Sequence, residues 1–191
     1  MKVAVLAVQG AFIEHEKQLE RLGIECIELR QAADLEKEYD GIILPGGEST
    51  VQGKLLKDLG MFDLLKEQIA NGMPVLATCA GLILLAEGIS NDDRTYLQTL
   101  PVVVKRNAYG RQLGSFHIEG EVKGIGVVPM EFIRAPYIES VKDDVEVLAT
   151  EGDSNHIVMV QYKNQLAMAF HPELCECTKI HERFVALMLG K

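Results

Sequence analysis

Pro74-Val75-Leu76-Ala77-Thr78-Cys79-Ala80-Gly81-Leu82-Ile83-Leu84-Leu85-Ala86 passes from a short apolar strand into a segment that is apolar on every side. The helix suggested by that second part is therefore deeply buried. A buried strand that turns at once into a buried helix belongs to a parallel sheet with helices on its faces. Cys79 stands at the turn. Its small neighbours Ala77, Ala80 and Gly81 let a strained residue project its side chain clear of the sheet, as a nucleophile elbow does. The positive end of the following helix stabilises a thiolate, and backbone N–H groups there can hold an oxyanion. A buried structural cysteine is the competing reading.

Working outward, strand-like runs alternate with helical patterns through the first half. Residues 3–8 form an apolar run. Residues 11–22 follow with Phe12, Leu19 and Leu22 on one helical face and Gly23 as the stop. Glu25–Leu29 and Gly41–Leu44 read as strands, the latter ended by Pro45-Gly46-Gly47. Helical patterns cover 51–59 and 61–70, and 75–77 is the next strand. Beyond Asn91-Asp92-Asp93 the texture changes to short β stretches at 102–104, 114–122, 127–133, 145–149, 157–162 and 166–170. These read as antiparallel ribbons plus late strands joining the main sheet. Residues 178–189, with Ile180, Phe184, Leu187 and Met188 on one face, read as a closing helix. The expected fold is α/β: a three-layer, open, mostly parallel sheet with helices on both faces and a small antiparallel ribbon.

The 191 residues suit a single domain spanning 1–191, and 48% hydrophobic with 25% charged residues is a globular composition. A net charge of −9 disfavours a polyanion surface, so nucleic acid is not an expected partner. Apolar stretches fall far short of the roughly 20 residues that cross a bilayer, so no membrane span is expected. The N-terminus runs from a short apolar stretch straight into Glu14-His15-Glu16-Lys17, unlike a signal peptide. Cys26, Cys79, Cys175 and Cys177 are too sparse for a disulfide scaffold, and free thiols in a reducing cytoplasm are expected.

A thiol nucleophile needs a base. His171 ends a late apolar run and precedes Pro172-Glu173, which places it at a strand tip, where catalytic groups of open α/β sheets gather. Glu173, two positions on, can hold the imidazole in one tautomer. His15 and His181 lie in charged helical stretches and read as surface residues, whereas His117 and His156 lack a carboxylate so placed. In the turn Leu44-Pro45-Gly46-Gly47-Glu48-Ser49-Thr50 two glycines permit close backbone approach to a ligand, and Glu48 could bind an ammonium group. The turn lacks the lysine of a P-loop and the spacing of G-x-G-x-x-G. Cys175 and Cys177, near His181, fit no common zinc spacing, and no metal is expected.

Pro45-Gly46-Gly47-Glu48-Ser49-Thr50, Thr78-Cys79-Ala80-Gly81 and His171-Pro172-Glu173 together resemble the class I glutamine amidotransferases, with cysteine, histidine and glutamate in that family's chain order. Ala77 stands where the general elbow has glycine. The strings 6–11, 105–112 (Lys-Arg-Asn-Ala-Tyr-Gly-Arg-Gln) and 132–136 (Phe-Ile-Arg-Ala-Pro) are most similar to the glutaminase subunits of glutamine-dependent pyridoxal 5′-phosphate synthases. That resemblance implies hydrolysis of L-glutamine to glutamate and ammonia, with Cys79 as nucleophile, His171 as acid and base, and Glu173 orienting it. Gly47 and Ala80 match the oxyanion-hole positions. Gly47, Glu48, Ser49, Arg106, Ile133 and Arg134 match the glutamine-contacting ones. No cofactor is implied. The implied partner is a (β/α)8-barrel synthase subunit in a 12:12 complex that receives the ammonia, and a peptide flip at Gly46-Gly47 could switch the oxyanion hole on docking. The rivals are a glutaminase subunit of another synthase, such as that of imidazole glycerol phosphate, and a non-catalytic binding protein on the same scaffold.

Overall fold

The computed structural model describes residues 1–109 and 114–191. Gly110, Arg111 and Gln112 of the string at 105–112 lie outside the described residues. In chain order the first half runs β1 (Lys2–Leu6), α1 (Phe12–Arg21), β2 (Glu25–Leu29), β3 (Gly41–Leu44), α2 (Ser49–Asp58), α3 (Phe62–Ala70), β4 (Val75–Thr78) and α4 (Ala80–Leu85). Then come β5 (Ala86–Ile89), β6 (Leu100–Lys105), β7 (Ser115–Val122), β8 (Gly126–Ile133), β9 (Tyr137–Val141), β10 (Glu146–Glu151), β11 (His156–Tyr162), β12 (Gln165–Met168) and α5 (Lys179–Met188).

The main sheet has the order β2-β1-β3-β4-β12-β11-β9-β6-β5, with β10 added beside β11, and β7 and β8 form a separate antiparallel ribbon. From β2 to β12 every neighbouring pair is parallel, while β12–β11, β11–β9 and β9–β6 are antiparallel. The parallel half is covered on both faces. Strands β3 and β4 are buried at every position, which is why they read as unbroken apolar runs. Helix α4 lies so close to β3 that a Cβ on Gly81 would overlap the Leu44 carbonyl. On the other side α1 and α5 meet through His15 and His181.

One pairing positions the site. Strand β12, though late in the chain, inserts beside β4 in parallel register, with Ala167 opposite Ala77 and Met168 opposite Thr78. The Cys79 N–H donates to the Met168 carbonyl at 2.8 Å. The residues just past these two strands therefore emerge at the same, carboxyl end of the sheet.

Strands β5 and β9 have no counterpart in the pattern reading. Helix α4 ends when Ala86 turns extended (ψ 141°), and the chain continues without a loop into β5, held by pairing with β6. In β9 only Ile138 is fully buried, so the alternation that marks a half-buried strand is missing. No helix among the described residues is long and apolar enough to cross a membrane.

Candidate active site

Cys79 caps α4 with φ 47° and ψ −98°, a conformation costly for a residue with a Cβ and maintained by the strand and helix on either side. Its side chain opens into a cleft of about 230 Å³. His171 follows β12, and its N–H donates to the Glu131 carbonyl of β8 at 2.8 Å, so the ribbon fixes the turn that carries the imidazole. Pro172 then starts a short 3-10 turn, bringing Glu173 back beneath the ring. Glu173 Oε1 lies 2.7 Å from His171 Nδ1, which leaves Nε2 for the cysteine side.

Both members of this pair are buried. Burial opposes the charged imidazole, but the Cys79 sulfur and the Glu173 carboxylate outweigh it and hold His171 above its ordinary value. Burial likewise opposes the Glu173 carboxylate, yet His15 and His171 keep it below the ordinary carboxylate range. Cys79 thus faces an imidazole whose protonated form is stabilised, an arrangement that can serve acid–base chemistry at the sulfur.

The glycine turn after β3 closes the other side. A Cβ on Gly46 would overlap the His171 ring, so the backbone can approach the imidazole only without a side chain. The turn is tied down at several points. Gly46 donates its N–H to Thr78 Oγ1 at 2.9 Å and accepts the Ala11 N–H at 2.9 Å. Gln9 Oε1 accepts the Glu48 N–H at 2.8 Å, and Gln52 Nε2 donates to the carbonyls of Gln9 and Pro45 at 2.9 and 3.2 Å.

Gly47, Glu48, Ser49, Cys79, Arg106, Ile133, Arg134 and His171 all line the cleft, joined by Gln9, Ile83 and Asn107. Ala80 is the first residue of α4, beside Cys79, and Glu173 sits behind His171. Ser49 Oγ is buried without a partner among the described residues. Arg106 donates to Glu48 Oε1 at 3.0 Å and to Asp92 Oδ2 at 2.7 Å, while Asn91 clamps its backbone N–H and carbonyl at 3.0 and 2.9 Å. Hydrogen bonds from Arg94, and then from Arg106, hold Asp92 well below the usual carboxylate range.

The sequence matches the SNO glutamine amidotransferase family over residues 5–189. The chain belongs to that family. It is 61% identical over its full length, and over 94% of the relative's, to the pyridoxal 5′-phosphate synthase subunit PdxT of Desulfitobacterium hafniense (strain DSM 10664 / DCB-2). To the subunit of the same name from Streptococcus pneumoniae (strain CGSP14) it is 52% identical, covering 100% of this chain and 99% of the relative. A crystal structure described as a glutamine amidotransferase superposes with a TM-score of 0.91 at 41% identity, covering 97% of this chain and 98% of that one.

Two expectations are corrected within this family fold. His15 and His181 are completely buried, not on the surface. His15 Nδ1 lies 3.0 Å from His181 Nε2, and His15 Nε2 lies 3.2 Å from Thr78 Oγ1 and 3.4 Å from Glu173 Oε2. Their signal was present: His15 falls on the stripe of Phe12 and Leu19, and His181 on that of Phe184 and Met188, at spacings of three, four and seven. His117 and His156 do have carboxylates, Glu131 across the ribbon at 2.7 Å and Glu151 at 3.5 Å, but neither histidine is among the described residues of the cleft. Cys175 Sγ lies 3.2 Å from the Pro172 carbonyl and 3.8 Å from that of Cys177. No group of three His, Cys, Asp or Glu among the described residues is arranged to hold a metal.

Proposed function

We propose that the chain, as one domain spanning 1–191, is the glutaminase subunit of a pyridoxal 5′-phosphate synthase. It hydrolyses L-glutamine and passes ammonia to a (β/α)8-barrel synthase subunit in a 12:12 complex. The observation that carries this reading is the strained Cys79 facing His171, itself held by Glu173 at 2.7 Å, in a cleft lined by Glu48, Arg106 and Arg134.

The cysteine sulfur attacks the side-chain amide carbon of glutamine, and His171 takes the thiol proton. Negative charge on the amide oxygen is met by the N–H groups of Gly47 and Ala80. Collapse expels ammonia with the proton returned by His171 and leaves a γ-glutamyl thioester on Cys79. His171 then activates water, which releases glutamate and regenerates the thiol. A guanidinium from Arg106 or Arg134 pairs with the substrate carboxylate, Glu48 takes its ammonium, and Ser49 and Ile133 complete the wall.

Free ammonia becomes mostly ammonium at neutral pH and loses its nucleophilicity, so the product is best handed directly to its acceptor. Docking and activity are coupled if the Gly46-Gly47 peptide turns over. That turn breaks the Ala11 N–H···O=C Gly46 bond, at a cost of about 1 kcal/mol that docking contacts can offset. The reaction uses no cofactor, and the protein works in the cytoplasm.

Labelling with 6-diazo-5-oxo-norleucine, alone and with the purified barrel subunit, tests the reading. An adduct at Cys79, and ammonia release stimulated by the barrel subunit, are expected. No adduct at Cys79 with the barrel present would sink the enzyme assignment. Cys79→Ala is expected to abolish ammonia release and keep docking.

A further inference from the structure

Helix α1 grips the triad acid with two buried polar side chains one turn apart. Gln18 Nε2 donates to the Cys175 carbonyl and lies 3.5 Å from that of Glu173, so it holds the backbone of the turn. His15 addresses the carboxylate itself, with Nε2 3.4 Å from Glu173 Oε2. Glu173 spends Oε1 on His171, and Oε2, though buried, makes no hydrogen bond among the described residues; His15 Nε2 faces it at 3.4 Å.

The protonation pattern follows from the chemistry of the acceptor. A carboxylate oxygen only accepts, so the tautomer that serves Glu173 is the one with the hydrogen on His15 Nε2. His15 Nδ1 is then an acceptor, and His181 Nε2, 3.0 Å away, is its donor. The order His181, His15, Glu173, His171 leads inward from α5 to Cys79. The same His15 Nε2 is 3.2 Å from Thr78 Oγ1, the atom that holds the Gly46 N–H. One imidazole therefore stands between the acid of the triad and the oxyanion turn.

We propose that His15, oriented by His181, is a positioning residue for glutamine hydrolysis, its Nε2–H facing and attracting the otherwise unbonded second oxygen of Glu173 so that the first stays on His171. This rests on the glutaminase reading. A histidine that merely filled space between α1, α5 and the sheet would need the ring's volume but no hydrogen at Nε2.

The test compares His15→Gln, whose amide nitrogen reaches the place of Nε2, with His15→Leu, which has similar bulk and no donor. Ammonia release is measured in the complex with the barrel subunit, and folding is followed by circular dichroism melting. His15→Leu is expected to lose about 10- to 100-fold in kcat, with KM for glutamine within about twofold, because a misoriented His171 weakens chemistry more than binding. His15→Gln is expected to regain most of that loss. Equal kcat in the two variants, or a loss that follows the folded fraction alone, would overturn the proposal. If the leucine variant does not fold, His15→Asn replaces it. Its amide matches Nδ1 and not Nε2, so it should stay slow while the glutamine variant works, and equal rates would again overturn the proposal. A wild-type complex that releases no ammonia would remove the glutaminase reading and this inference together, whereas an active wild type with unresponsive variants removes only the inference.

Discussion

Thr78 Oγ1 accepts the Gly46 N–H at 2.9 Å, so the residue immediately before Cys79 fastens the turn on the opposite side of the cleft. The contact is wholly buried and joins β4 to the loop after β3. Thr78→Val keeps the shape of the side chain and removes the acceptor, leaving a buried N–H unpaired. The expected cost is about 1–3 kcal/mol of stability, read from urea unfolding. Glutamine turnover in the complex should fall as well, since the glycine turn, the proposed oxyanion hole, loses its anchor. Undiminished stability would mean that the Gly46 N–H finds another partner.

Gly46→Ala tests the close approach between turn and base. The added methyl overlaps the His171 ring and can be accommodated only by moving the imidazole or the loop. A displacement of about 1 Å in a catalytic group costs on the order of 100-fold in rate. The expected result is such a drop in kcat with Cys79 still open to alkylation by iodoacetamide. Wild-type kcat would show that the turn moves away from His171 in the working complex.

Most residues of the candidate site were legible because they sit at punctuation points. Pro45-Gly46-Gly47, the Cys79 turn and His171-Pro172 each interrupt an apolar run, and each interruption marks the end of a strand in the parallel half of the sheet. The insertion of β12 beside β4 was less legible, since nothing local in residues 165–168 specifies their neighbour. Asn91 and Asp92, which hold Arg106, marked only a change of texture, because their partner lies 15 and 14 residues away. His15 and His181 were misread for a different reason. Their flanking charges suggest a solvated face, but a helix exposes and buries residues by angle, and both histidines lie on the apolar side.

Asp92 holds Arg106 without lining the cleft, so under the proposed function its removal bears on glutamine binding alone. Asp92→Ala frees the guanidinium from one of its two carboxylates, and the Glu48 contact at 3.0 Å then has no counterweight. The arginine should tilt toward Glu48 and meet the substrate carboxylate less well. An increase of about tenfold in KM for glutamine is expected, roughly 1.4 kcal/mol, with kcat within about twofold. A fall in kcat at unchanged KM would remove Arg106 from the binding role.

The buried histidine pair also fixes the direction in which acid acts. Burial pushes His181 well below its ordinary value of 6.5, and the neighbouring His15 lowers it further. His15 is lowered by burial too, against the opposing pull of Glu173 and with a smaller lowering effect from His171. Below pH 6.5 the unfolded chain therefore binds protons that the folded chain refuses, and stability falls as pH drops from 6.5 toward the depressed folded values. Glu173, held below its ordinary 4.5, adds a second loss at more acid pH, whereas His171, held above 6.5, contributes stability that disappears only on the alkaline side. His181→Gln removes one neutral-held histidine. Its unfolding free energy should depend less on pH between 6.5 and 5 than that of the wild type, by up to about 1.4 kcal/mol per pH unit. Urea titrations at pH 7 and 5.5 measure the difference, and parallel pH dependences would show that His181 takes up its proton in the folded protein.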